Sequence, residues 1–183
     1  MSSTRVSDEH EPFGRPPEPL GFPYEAPLRG VPGALLTVRS DAFDEHAPLP
    51  PRLSRPGGNV SPPLAWSGVP DTAEELILLC EDPDAPGDEP FLHWLVTGID
   101  PHTAGVGEGR VPPGAREWPN GFGETGWSGP QPPVGDGPHR YVFRLFAVDA
   151  PLDLPAHPDP ADVHRALAGH ELAGAATVGT FAR

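Results

Sequence analysis

The sequence predicts a mainly β domain with ordered loops, and three observations predict it. Apolar runs of strand length recur between clusters of turn residues. Helical periodicity is almost absent outside one segment near the C-terminus. The 29 prolines and 22 glycines of the 183 residues fall mostly between the apolar runs. So high a share can signal disorder, but here it punctuates strands. The length suits one domain that buries a core without disulfides or metal.

Residues 1–33 read as a polar, proline-rich extension, expected to be loosely ordered, and residues 34–183 as the domain. Ala34 to Val38 is the first expected strand, followed by a proline loop from Pro48 to Pro56. The turn at Gly57-Gly58-Asn59 leads to a short strand around Leu64 to Trp66. Leu76 to Cys80 has the near-continuous apolarity of a central strand covered on both faces.

Glu81-Asp82-Pro83-Asp84-Ala85-Pro86 then forms a stiff loop, because each proline fixes its own φ and restricts the residue before it. In Phe91 to Thr97, period two places Phe91, His93 and Leu95 on one face and Leu92, Trp94 and Val96 on the other. Pro101 to Pro138 is a long loop region that Trp118, Phe122 and Trp127 mark as packed. Its glycines leave main-chain N–H groups that could line an anion pocket.

His139 to Val148 is the longest strand, with His139 and Tyr141 on one face. Arg140 and Arg144 fall on the other, where ion pairs with surface acids are expected. The single helix has Asp159 as N-cap, Pro160 at the first position, Val163, Ala166 and Leu167 at i, i+3 and i+4, and Gly169 as terminator. A strand of small residues, Leu172 to Phe181, ends the chain.

The formal charge is −14, and all twelve basic residues are arginines. Without lysine there is no Schiff base and no P-loop lysine. The acidic balance argues against nucleic acid and anionic membranes as partners, since both need a basic footprint. The single Cys80, in an apolar run, is expected to be a buried, inert thiol. No run approaches the length of a membrane span, and no signal-peptide pattern opens the chain, so a cytoplasmic location is expected.

Two stretches carry the chemistry: Asp82-Pro83-Asp84-Ala85-Pro86 with His93-Trp94, and Gly126 to Pro133 with His139-Arg140-Tyr141. Taken singly, aspartates beside proline are ordinary turn formers, and a histidine on an apolar strand is a hydrogen-bonded core residue. Together with Ser61-Pro62-Pro63-Leu64, Trp66 and the closing Val178-Gly179-Thr180-Phe181, they stand in a particular order and spacing. In these features the chain resembles the phosphatidylethanolamine-binding protein family, in its bacterial Raf-kinase-inhibitor-like branch. The resemblance implies an antiparallel β sandwich with Greek-key connections, a few short helices and a small anion-binding cavity at one end. It implies Asp82, Asp84, His93 and His139 as cavity residues, Pro86, Trp94 and Tyr141 as walls and Gly129-Pro130 as rim. A homodimer is compatible with it. Trp127 and Phe181 depart from the family's usual tyrosines, which makes the expected pocket mouth more apolar.

Two functional readings follow. In the first, the chain binds a small anionic or zwitterionic ligand, a phosphate, phosphoester or phosphoethanolamine-type head group, with no cofactor. Two carboxylates repel a dianion, so a histidine, an aspartate or the ligand itself must carry a proton, or the ligand must bring an ammonium to Asp82 or Asp84. Phosphate affinity is then expected to rise as pH falls through about 6.5. In the second, Asp82, Asp84, His93 and His139 perform acid–base catalysis in an isomerase, lyase or cyclase without a covalent nucleophile. Two His and two Asp also suit zinc in type, but no ligand spacing supports a metal.

Overall fold

The computed structural model describes residues 35–183. The expected extension, residues 1–33, and the first residue of the expected opening strand, Ala34, lie outside the described residues.

Among the described residues eight strands and one α-helix follow in order: β1 (Thr37–Arg39), β2 (Leu64–Ser67), β3 (Glu75–Asp82), β4 (Phe91–Ile99), β5 (Gly105–Val106), β6 (Arg116–Glu117), β7 (His139–Val148), α1 (Pro160–Leu167) and β8 (Glu171–Phe181). They form two antiparallel sheets, one ordered β1-β2-β5 and the other β6-β4-β3-β7-β8. The chain passes from β4 on one side of β3 to β7 on the other, so β3 is central.

That position explains why β3 is apolar on both faces. Leu76, Leu78 and Cys80 face the core between the sheets, together with Trp66, Trp94, Tyr141 and Phe143. Ile77 and Leu79 face a second core, which α1 closes with Val163 and Leu167. The helix is fixed by its ends as expected. Asp159 and Asp162 form a reciprocal capping box, Pro160 begins the first turn, and Gly169 takes a left-handed φ of 91° just beyond it. The outer edge of β8 is covered by residues 46–49, whose backbone bonds to Val178 and Thr180. Gly179 allows this approach, since a Cβ there would lie 2.3 Å from Leu49.

One expectation about β4 is overturned. Cys80 pairs with Trp94 but Glu81 pairs with Leu92, so β4 carries one extra residue, His93, in a bulge. Strict alternation fails there. Leu92 and Leu95 belong to the helix-side core, while His93 lies beside Trp94 on the inner face, against Tyr141 and Trp127. A one-residue insertion exchanges the faces of everything beyond it, which period-two reading could not register.

Candidate functional site

The ends of β3, β4 and β7 converge with the 126–130 loop, and there the structure brings Asp82, His93, His139 and Tyr141 together. Asp82 closes β3 and shares the inner face with Cys80. Its Oδ2 accepts a hydrogen bond from His139 Nδ1 at 2.8 Å, and its Oδ1 accepts one from the Asp84 N–H at 2.9 Å. Both side chains are buried. Burial raises the Asp82 pKa, and the hydrogen bond and charge of His139 only partly oppose it.

His93 contacts Ser128, whose carbonyl lies 2.5 Å from Nδ1, so Nδ1 carries the proton and donates. Burial lowers the His93 pKa to about 4, with the nearby His139 adding to the effect. His93 is therefore neutral at physiological pH and is not the group that supplies positive charge to a bound phosphate. The Tyr141 ring packs edge-on to His93 at 5.1 Å. Its hydroxyl is buried with no partner at full hydrogen-bond geometry, and burial together with the charge and closeness of the Asp82 carboxylate pushes its pKa well up.

Asp84 has a different surrounding. Its Oδ2 accepts from the Arg140 backbone N–H and from Nε, both at 2.8 Å, and its Oδ1 accepts from a terminal guanidinium nitrogen at 2.7 Å. The acid expected to pair with Arg140 is thus Asp84 itself. Burial works against ionisation of Asp84, but these bonds outweigh it and the pKa is lowered. Pro86 is exposed on the loop beyond. Trp94 is fully buried, and its indole N–H donates to Glu117 Oε1 at 2.8 Å.

The 126–133 loop does not offer the row of free donors that its glycines suggest. The N–H groups of Gly126, Ser128 and Gly129 donate to Trp118 O, His93 O and Asn59 Oδ1. Gly129 is required by close approach, because a Cβ there would lie 1.9 Å from Leu53 O. Pro130 accepts from the Arg55 N–H. Trp127 is a core pillar rather than a mouth residue: it stacks on Phe143 at 5.9 Å and donates its indole N–H to Leu53 O.

Sequence reasoning missed several participants. Arg144, expected to pair with a surface acid, is instead buried with Glu81 on the helix-side face, Nε to Oε1 at 2.6 Å, and His164 of α1 lies 3.3 Å from the other oxygen. Asn59, with φ 56°, holds the loop through its side-chain amide, and Ser128 holds His93 through its backbone carbonyl; no motif announces either. Asp136 places Oδ2 3.7 Å from His139 Nε2; the i, i+3 spacing of the pair was its only sequence signal. Among the described residues no group of three or more His, Cys, Asp or Glu side chains is arranged to hold a metal ion. No helix among them is long and apolar enough to cross a membrane.

Comparison with known proteins agrees with this architecture. The family model of phosphatidylethanolamine-binding proteins matches residues 39–182. A UPF0098 protein of the archaeon Methanothermobacter thermautotrophicus is 40% identical over 81% of this chain and 99% of its own. LppC of Mycobacterium tuberculosis, named as a candidate lipoprotein, is 41% identical over 80% of this chain and 72% of its own. Among solved structures, the phosphatidylethanolamine-binding protein homologue CT736 of Chlamydia trachomatis superposes with a TM-score of 0.74 at 34% identity, covering 82% of this chain and 99% of its own. YbcL of E. coli gives 0.76 at 28% identity, with the same coverage. With the motifs, the two-sheet fold and these matches in agreement, the chain belongs to the phosphatidylethanolamine-binding protein family.

Proposed function

We propose that the cluster of Asp82, His93, His139 and Tyr141 binds a small anionic or zwitterionic phosphoester. The observation that carries this reading is the Tyr141 hydroxyl, buried and without a partner beside two imidazoles and a carboxylate. Buried hydroxyls are nearly always satisfied, so an orphan at the convergence of three strand ends calls for a ligand atom or an ordered water. The mixed polarity suits a zwitterion: the Tyr141 hydroxyl offers a donor, and the carboxylates suit an ammonium. With His93 neutral above about pH 4, tighter binding on acidification is left to the ligand's own second proton, which a phosphoester loses near about pH 6. The reading places the binding function in residues 34–183 and proposes the cytoplasm as its location.

The test is an NMR titration with inorganic phosphate and with phosphoethanolamine at pH 6, for the wild type, Tyr141→Phe and His139→Ala. Ligand-induced shifts should centre on His93, His139 and Tyr141, weaken in Tyr141→Phe and vanish in His139→Ala. Shifts scattered elsewhere, or unchanged in both variants, would sink the assignment.

The 2.8 Å hydrogen bond from His139 Nδ1 to Asp82 favours a second reading, since a buried carboxylate that orients an imidazole is the arrangement general acid–base catalysis uses. Turnover of a bound small molecule that disappears in Asp82→Asn would support it.

A further inference from the structure

The carboxylates around this site are not equally free to meet a ligand. Asp82 has both oxygens engaged, one by the Asp84 N–H and one by His139. Asp84 has both oxygens held by Arg140. Asp136 differs, with a side chain 50% exposed and Oδ2 facing His139 Nε2 at 3.7 Å. It sits on a short loop in which Gly135 has φ 90° and donates its N–H to Arg183 O, while the Asp136 N–H donates to Pro133 O at 3.3 Å. Because His139 Nδ1 is committed to Asp82, Nε2 is the ring atom left for a ligand, and a carboxylate already stands beside it.

We propose that Asp136 sets the charge class of the ligand: it disfavours inorganic phosphate at His139 Nε2 and favours a phosphoester that carries its own ammonium a few atoms from the phosphate. The proposal rests on the ligand-binding reading above and adds the group that discriminates within it. An anionic oxygen placed beside Nε2 comes within a few ångströms of Asp136 and is repelled. An ammonium on the same ligand reverses the sign of that interaction. The sequence alone had assigned the ammonium to Asp82 or Asp84, whose oxygens are the less available ones. Since Asp136 is half exposed, water screens its charge, and the effect is set at about fivefold in affinity, the scale of a partly exposed charge contact.

Isothermal titration calorimetry at pH 7 and low salt, with inorganic phosphate and phosphoethanolamine, tests this on the wild type, Asp136→Asn and Asp136→Glu. Wild type should prefer phosphoethanolamine. Asp136→Asn should tighten inorganic phosphate about fivefold and abolish the preference, whereas Asp136→Glu, which keeps the charge, should retain it. A preference unchanged in Asp136→Asn overturns the role of Asp136 and leaves the binding site standing. Equal changes in both variants overturn it too, by showing that loop shape and not charge is read. Failure of both ligands to bind wild type and variants alike overturns the ligand-binding reading and this proposal with it.

Discussion

Protonation of His93 should be a principal acid-sensitive event in this fold. In the folded chain burial holds the ring neutral down to about pH 4, whereas an unfolded histidine titrates at its ordinary 6.5. Between those values the unfolded chain binds a proton that the folded chain refuses, so stability falls as pH drops from 6.5 and the loss is complete below about 4. A gap of about 2.5 pH units at 1.36 kcal/mol each gives a loss of about 3 kcal/mol, undiminished by screening because the ring is buried. Asp82 acts in the opposite sense: its pKa is raised in the folded state, so the folded chain takes up that proton first and stability is gained as pH falls. The two are separated by His93→Asn, whose amide can still donate to Ser128 O but does not titrate. Urea unfolding from pH 7.5 to 4 should show the wild type losing about 3 kcal/mol relative to the variant, mostly between pH 6.5 and 4. A difference constant with pH, or a His93 ring that titrates near 6.5 by NMR, would refute the reasoning.

Other perturbations should act through packing and charge. Gly129→Ala drives a methyl into Leu53 O, a backbone atom fixed by the 3-10 turn at residues 51–53, so a loss of about 3 kcal/mol or failure to fold is expected in thermal melts. Arg144→Leu strands the buried Glu81 carboxylate with only His164 and should cost about 3–5 kcal/mol by urea unfolding. Adding Glu81→Leu should recover much of that, and if the double variant is no better than the single, the buried charge is not the cause. Asp159→Ala removes one half of the α1 capping box and should cost about 1 kcal/mol, read as a lower melting temperature with the core strands still protected from hydrogen exchange.

Much of this architecture was legible in the residues because it depends on local chemistry. The two-faced apolarity of Leu76 to Cys80 announced a central strand, since only a strand covered on both sides has apolar neighbours at both parities. The helix could be placed to the residue because its N-cap, first-turn proline and terminal glycine all act within the chain segment itself. The motif order also reached the family, and residues 82, 93, 139 and 141 do meet in space. The sequence could not reveal which groups are left available there, because that depends on partners distant in the chain. Asp82 and Asp84 look equivalent as written, yet His139, 57 residues away, engages one and Arg140, 56 residues away, clamps the other. The β4 bulge was invisible because period two counts residues and not pairings, and only register against β3 shows that His93 is the extra one. Burial likewise separated His93, its pKa lowered to about 4, from an ordinary histidine, and left the Tyr141 hydroxyl without a partner. The chain by itself determined which residue types meet at this end of the sandwich. The tertiary structure decided their charge and their freedom to bind, since hydrogen bonds and desolvation are set by neighbours that only folding supplies.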